Sequence, residues 1–146
     1  MRSVSLLLLR ASVALLVLIW GIDKVLDVQH AINVSNRFYL GILSFPGLVP
    51  ILGVAQCTLA ILALVGLYRW IVDPVITVIN LGTLLSVRAS IIDPWGWYLE
   101  GTNNLFFPSL TVFAGCLVLL AFRKEETLVL DARQLAVSEE PQTDPG

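Results

Sequence analysis

The sequence predicts an all-α protein: a bundle of four transmembrane helices, with an external amphipathic helix between helices one and two. Of its 146 residues, 57% are hydrophobic and 14% are charged, whereas soluble domains average about 45–50% and about 25%. Mean hydropathy is +0.85. Four separate apolar runs each approach the roughly 20 residues that cross a bilayer, and lipid requires such runs to be helical.

The four apolar runs define the helices in order. They cover residues 6–22, 48–67, 71–92 and 105–122. The connections between the last three are short, which predicts antiparallel neighbours. The first run is interrupted by Arg10 and ends without a small-residue cleavage site. We therefore interpret it as a retained membrane helix and not as a signal peptide.

Proline, aspartate and asparagine mark the predicted helix ends. Asp73 is a plausible N-cap for the third helix, and Pro74 is tolerated in a first turn. Asn103 or Asn104 is expected to cap the fourth helix. Pro108 then falls about one turn inside that helix and predicts a kink.

Two segments lie outside the predicted helices. Within residues 25–45, apolar side chains recur at helical spacing opposite polar ones, which predicts a helix lying on the outer membrane surface or capping the bundle. We divide the chain into a membrane domain, residues 1–124, and a polar cytoplasmic tail, residues 125–146. In the tail, residues 127–135 are expected to form a short interfacial helix and residues 138–146 to be disordered.

The distribution of basic residues predicts the orientation. Six fall on the side of the termini and three on the opposite side, and cytoplasmic loops carry the excess of Lys and Arg. Both termini are therefore predicted in the cytoplasm. The first group is Arg2, Arg10, Arg69, Arg123, Lys124 and Arg133, and the second is Lys24, Arg37 and Arg88.

Composition and motifs disfavour several functions. A net charge of −2 without a basic cluster argues against a nucleic-acid partner. The sequence has no Gly-rich phosphate loop, no Ser-His-Asp set and no metal-ligand spacing, so no metal is expected and no catalytic residue can be named. Cys57 and Cys116 are predicted at similar depth. For them, packing as small apolar groups is favoured over a redox dithiol.

Polar residues within the apolar runs are candidates for a functional role, because ionisable groups in lipid usually face protein or water. Arg10 and Asp73 fall at the same level and could pair, or Arg10 could extend to lipid phosphates. Asp73, Thr77, Asn80 and Arg88 share one side of the third helix. This stripe should face the bundle interior, either as structural glue between helices or as a ligand or proton path.

The outer ends of helices one and three carry a second candidate site, which we call the outer rim. Its charges and aromatic rings could hold the polar head group of a quinone-like or lipid-like ligand, and the alternative is an ordinary aromatic belt. Lys24 and Arg88 would pair there with Asp23 or Asp93. No intrinsic cofactor is expected apart from a bound quinone. The outer rim comprises Trp20, Asp23, Lys24, Arg88, Asp93 and Trp95.

Short motifs over residues 6–123 resemble the DoxX-like family of small four-helix bacterial membrane proteins. Helix one is similar to the family's Arg…Gly-x-x-Lys pattern. Helix two is similar to a second pattern of the family, in which a Glu is followed four residues later by a Gly and then by Gly-x-x-Arg. Gln56 stands where the family has an acid, so a titrating carboxylate is not expected there. The matching residues are Leu9-Arg10, Trp20-Gly21-Ile22-Asp23-Lys24, Gln56, Ala60, Gly66 and Tyr68-Arg69.

The resemblance implies a compact four-helix bundle in the bacterial inner membrane. It also implies a subunit of a redox complex, quinone-linked or thiol/thiosulfate-linked, with the lipid bilayer and other membrane or redox proteins as partners. The residues themselves leave two alternatives. One is a non-catalytic anchor or assembly subunit of a larger complex. The other is a small carrier using the helix-three stripe, which would require an oligomer.

Overall fold

A computed structural model describes residues 2–41 and 44–131 of the chain. Within these ranges the protein is helical and contains no strand, which confirms the all-α prediction. A 3₁₀ turn, Asn104–Phe106, directly precedes the last helix. The helices are α1 Arg2–Leu26, α2 Val28–Phe38, α3 Leu48–Val65, α4 Arg69–Ser86, α5 Arg88–Ile92 and α6 Pro108–Ala121.

Three helical segments of the described chain are long and apolar enough to cross a membrane. They are α1, α3 and Asn104–Ala121. Helix α4 has the same length as α3, 18 residues, but it is not one of the three. It carries Arg69, Asp73 and Asn80, which lower its apolarity.

The first two membrane-length helices begin and end near the predicted residues. Helix α1 extends four residues beyond the predicted run of residues 6–22 at each end. Helix α3 begins at Leu48 as predicted and ends at Val65. Gly66 stops it in the left-handed conformation, φ 73°. The N–H groups of Gly66 and Leu67 both donate to the carbonyl of Leu62, which satisfies an end of the helix that would otherwise lack partners.

The start of α4 differs from the prediction. Asp73 is not its N-cap, because the helix begins four residues earlier, at Arg69. The cap comes from the far end of the described chain: the carboxylate of Asp131 accepts from the N–H groups of Tyr68 at 3.1 Å and Arg69 at 2.9 Å. A carboxylate at a helix N-terminus satisfies free N–H groups and complements the helix dipole.

The predicted third helix, residues 71–92, is divided in two. Helix α4 ends at Ser86, Val87 leaves helical geometry, and α5 runs from Arg88 to Ile92. Arg88 is exposed on this second, short helix. The prediction that one polar stripe continues to Arg88 is therefore wrong, because the helix that carries the stripe has already ended.

The start of the last helix confirms one prediction in part and corrects another, since Asn103 caps the 3₁₀ turn before α6 while α6 itself has no side-chain cap. The Asn103 side chain accepts from the Leu105 N–H at 2.9 Å and so caps the 3₁₀ turn. Pro108 is the first residue of α6. A proline in this position costs no internal hydrogen bond, so the predicted kink is absent at Pro108.

The bundle packs as two helix pairs, α1 with α3 and α4 with α6, joined through a shared core. The closest approach is between α1 and α3, where a Cβ added at Gly53 would lie 2.8 Å from the Gly21 carbonyl oxygen. Gln56 Nε2 donates across this contact to the Val17 carbonyl at 2.9 Å. The core consists of Val13, Ala14, Val17, Ala60, Ala63, Val72, Ile76, Cys116 and Leu119.

A helix occupies the segment between the first two apolar runs. The Asp27 side chain caps α2 by accepting from the His30 N–H at 2.9 Å. Just after α2, the Tyr39 hydroxyl shares a 3.0 Å hydrogen bond with Thr83 of α4. Phe38 meets Phe106 edge to face at 4.8 Å. These contacts hold α2 against the ends of the longer helices.

Residues 123–131, here called the C-terminal strap, fold back onto the bundle. Glu126 and Val129 are buried, and Val129 packs against Gly66, where an added Cβ would come within 2.8 Å of it. The proposed domain boundary after residue 124 therefore cuts through packed structure. The predicted disorder of residues 138–146, and residues 132–135 of the predicted helix 127–135, lie outside the described residues.

Candidate functional site

A buried ion cluster occupies the end of the bundle that carries the N-terminus. It joins Arg10 of α1, Arg69 and Asp73 of α4, and Glu126 of the C-terminal strap. Arg10 and Glu126 are each only 3% exposed, and the other two are also buried. The sequence indicated Arg10 and Asp73 as candidates, but it did not indicate Arg69 or Glu126 for this site.

Glu126 bridges the two arginines. One carboxylate oxygen lies 2.6 Å from Arg10 Nη1, and the other is in contact with Arg69 Nη2. Arg69 Nε also approaches Asp73 Oδ2 at 3.4 Å. Two cations and two anions are thus buried together. Burying charges is tolerable only with such pairing and further hydrogen bonds.

The strap also supplies backbone acceptors to both guanidinium groups. Arg10 Nη2 donates to the Leu128 carbonyl at 2.9 Å, and Arg69 Nη1 donates to the Arg123 carbonyl at 3.0 Å. Hydrogen bonds to charged donors are roughly twice as strong as neutral ones. Arg10 therefore links α1 to the strap, and Arg69 links α4 to it.

The predicted Arg10–Asp73 pair is replaced by a larger arrangement. Arg10 and Asp73 line the same cavity, but in the described structure the carboxylate in contact with Arg10 is that of Glu126. The alternative, in which Arg10 extends to lipid phosphates, conflicts with its burial. Both sequence interpretations lacked the partner that the strap provides.

A small cavity lies behind the ion cluster, between α1, α3, α4 and α6. Its volume is about 10 Å³, which is space for about one water molecule. A quinone ring does not fit in such a space. The lining residues are Arg10, Val13, Ala14, Ala63, Asp73, Ile76, Thr77, Cys116 and Leu119.

The polar stripe of α4 faces inward over its first three turns. Asp73, Thr77 and Asn80 are buried, as predicted for the stripe. Thr77 Oγ1 donates to the Asp73 carbonyl at 2.8 Å, and Asn80 Nδ2 donates to the Ile76 carbonyl at 2.9 Å. These bonds stay within α4. They satisfy the polar atoms locally and do not join neighbouring helices.

At the outer rim, the two cations bind backbone carbonyls. Lys24 Nζ donates to the Trp20 carbonyl at 3.1 Å and lies 6.0 Å from the centre of the Trp20 ring. Arg88 Nη1 donates to the Leu85 carbonyl at 3.1 Å. Asp23 contacts Nδ1 of His30 at 2.9 Å. The expected pairing of Lys24 and Arg88 with Asp23 or Asp93 is not among these contacts.

Asp93 organises the loop after α5. Its carboxylate accepts from the N–H groups of Trp97, Tyr98 and Leu99 at 3.0, 2.6 and 2.9 Å. These hydrogen bonds, that of Tyr98 foremost, lower the pKa of the Asp93 carboxyl. The loop presents Trp95 stacked on Trp97, with ring centres 5.6 Å apart and both side chains exposed. Asp93 thus shapes the outer rim without facing its cations.

The two cysteines occupy different contacts. Cys57 packs at the crossing of α1 and α3, where an added Cβ at Gly21 would lie 2.7 Å from its sulfur. Cys116 belongs to the core and lines the cavity behind the ion cluster. Both thiols are free. Their surroundings favour the packing role over a redox dithiol.

Within residues 2–41 and 44–131, no group of three His, Cys, Asp or Glu side chains could hold a metal ion. Comparisons with protein-family models, with curated proteins and with solved structures give no match, so the likeness to the DoxX-like family stays a prediction.

Proposed function

We propose that this chain is a four-span inner-membrane protein that anchors or assembles a larger membrane complex and carries no catalytic site of its own. One observation carries the proposal. The buried and rim side chains that could do chemistry are engaged in holding the chain together, as Glu126 holds Arg10 and Arg69. Asp93 is likewise engaged with its own loop.

The inward placement of polar residues supports α4 as the fourth span. Its 18 residues would cover about 27 Å at 1.5 Å per residue, close to the ~30 Å hydrocarbon core. Its charged and amide side chains are buried in the bundle. Ile71, Val78 and Leu85 are exposed and would face lipid. Averaged over all its residues such a helix is fairly polar, although the surface that it turns to lipid is apolar.

The residues that resemble the DoxX-like family support a shared framework more than a shared reaction. Arg10 and Arg69 belong to the ion cluster. Gly21 allows the close approach of α3, and Gly66 takes the left-handed cap that ends α3. A redox function for the complex, with or without quinone, is proposed from the likeness alone.

The four-span topology can be tested by labelling single cysteines in intact cells. In a background with both native cysteines replaced, Asn33→Cys in α2 and Lys124→Cys in the strap would each receive an impermeant maleimide. Both residues are exposed. Four spans place them on opposite sides, so only Asn33→Cys should react before lysis. Reaction of both before lysis would indicate three spans and contradict the proposal.

The anchoring role predicts which substitutions disturb a complex. Purification in mild detergent should recover associated membrane proteins. Lys24→Ala and Arg88→Ala should leave their amount and activity unchanged, because both cations bind backbone carbonyls. Val78→Trp, on the exposed side of α4, should reduce co-purification. Activity lost in the rim variants with association intact would instead favour a ligand site at the outer rim.

A further inference from the structure

We propose that Arg10 and Arg69 form a binding site for a small carboxylate, and that Glu126 of the C-terminal strap fills this site as a removable internal ligand. Two guanidinium groups from different helices converge on one carboxylate and engage both of its oxygens. Arginine is suited to such recognition because its donors form a fixed planar fork. The inference goes beyond the anchoring role and draws on the same contacts of Glu126, which it treats as reversible.

The charge of the site without the strap requires an anion. Arg10 and Arg69 would then retain one buried acid, Asp73, at 3.4 Å from Arg69 Nε. Two positive charges and one negative charge would remain at this end of the bundle. An uncompensated charge is unfavourable wherever it stays out of water. An external anion in the position of the Glu126 carboxylate would compensate it.

Glu126 fills the position with incomplete hydrogen bonding. Arg10 Nε is buried without a hydrogen-bond partner. Arg10 Nη1 and Glu126 Oε1 lie 2.6 Å apart, yet neither makes a hydrogen bond of good geometry. On the N-terminal side of Glu126 the strap is attached through the exposed Arg2–Glu125 ion pair, and exposed pairs contribute little. On its other side Val129 and Asp131 hold the strap at Gly66 and at the start of α4, so release of Glu126 would be a local movement. A free carboxylate can orient itself more favourably than one tied to the chain.

The cavity behind the cluster limits the size of the ligand. Beyond Arg10 and Asp73 its walls are mainly apolar, with Val13 and Ile76, and the Thr77 hydroxyl and the Cys116 thiol add polar atoms. Because the cavity has space for only about one water molecule, the ligand must fit mainly in the volume that the Glu126 carboxylate leaves. Formate and acetate are the smallest carboxylates, and their carboxylate group would replace that of Glu126.

The first experiment measures chemical rescue of Glu126→Ala in detergent. The variant should unfold at a lower temperature than the wild type. Formate or acetate should restore the temperature saturably, while chloride at equal ionic strength should not. Glu125→Ala, next to it in the strap and exposed, is the matched control and should show neither effect. Equal responses to formate and chloride would overturn the proposal.

A second experiment uses the wild type and does not depend on how the variant folds. Cys116 lines the cavity and is 2% exposed. If formate competes with Glu126, the strap leaves more often, and alkylation of Cys116 should become several-fold faster in formate than in chloride. Cys57, away from the cluster, serves as the internal reference. If the ratio of the Cys116 to the Cys57 alkylation rate is the same in formate and in chloride, Glu126 is a fixed structural residue. That result would refute the proposal that Glu126 is a removable ligand.

Discussion

The crossing of α1 and α3 depends on Gly53, and alanine at this position tests the packing directly. A Cβ there would lie 2.8 Å from the Gly21 carbonyl oxygen and 2.9 Å from the Lys24 Cβ. Ordinary carbon contacts are about 3.5–4.0 Å. Because one of the opposing atoms is backbone, a rotamer change cannot relieve the contact. The two helices must separate along their closest approach.

The expected cost follows from two opposing effects. Overpacking a close contact costs about 1–3 kcal/mol, while alanine in place of glycine inside a helix contributes about 1 kcal/mol of stability. Gly82 in α4 is the matched control, since an added Cβ there meets nothing within 4 Å. Gly82→Ala should therefore be stabilised by the higher helix propensity of alanine, with no opposing steric cost. The two variants should differ in stability by about 1–3 kcal/mol, with Gly53→Ala the weaker.

Unfolding by a denaturing detergent, followed by the helical circular dichroism signal, would measure this difference. Comparing the two alanine variants with each other cancels the helix-propensity gain that they share. A Gly53→Ala protein as stable as Gly82→Ala would mean that α1 and α3 do not approach as closely as the structure indicates. The reasoning about their crossing would then be wrong.

Three further predictions concern single positions. Gly66→Ala and Gly101→Ala both place a side chain on a residue with positive φ, which costs about 1–2 kcal/mol, but only Gly66 faces a buried valine within 2.8 Å. Thermal unfolding should therefore show a greater loss of stability for Gly66→Ala. Equal losses of stability would contradict the packing of the strap. The Asp93 pKa lies below its usual 3.8, so the stabilisation of its loop is present at neutral pH and lost as the pH falls through that lowered pKa. Tryptophan fluorescence would follow the loop during an acid titration. A change in fluorescence that occurs only at higher pH would contradict the prediction. Gln56→Leu should cost about 0.6 kcal/mol by loss of one interhelical hydrogen bond, and detergent-induced unfolding without a measurable change would exclude that bond.

The sequence predicted those parts of the fold that depend on local composition. Apolar runs gave the positions of α1, α3 and the last helix because crossing lipid demands continuous apolar length. The buried stripe at Asp73, Thr77 and Asn80 followed from helical periodicity. Helical spacing also indicated a helix near α2. Each of these properties can be read within a window of about twenty residues.

The ion cluster could not be predicted because its members are distant in the chain. Glu126 lies 57 residues beyond Arg69, and Asp131 lies 62 residues beyond the helix start that it caps. Both acids stand in a segment that looks polar and unstructured. A signal was nevertheless present: Leu128, Val129 and Leu130 form a short apolar run between these acids. Such a run in a charged tail favours docking over disorder.

The expected ion pairs of the outer rim are not among its contacts, because depth in the membrane alone does not give the direction of a side chain. Counting residues placed Lys24, Arg88 and Asp93 at one end of the bundle, and that placement says nothing about which way each side chain turns. After the break at Val87, Arg88 of α5 donates to the Leu85 carbonyl near the end of α4. Asp93 turns toward the N–H groups of the following loop. Backbone groups near the end of α4 and in the loop after α5 thus bind two of these charged side chains, and a ligand role for the outer rim stays a prediction.

The buried state of Arg10 and Arg69 does not weaken their use in predicting orientation. In the folded protein both are paired with Glu126, and a count of exposed charges would omit them. Glu126 follows the three membrane-length helices of the described residues, however, so it is synthesised after them. Lys and Arg near a span act on topology during insertion, and acidic residues contribute little to that choice. For the predicted orientation both arginines therefore still count as cations, since Glu126 is not yet present and Asp73, the acid next to Arg69 in α4, contributes little.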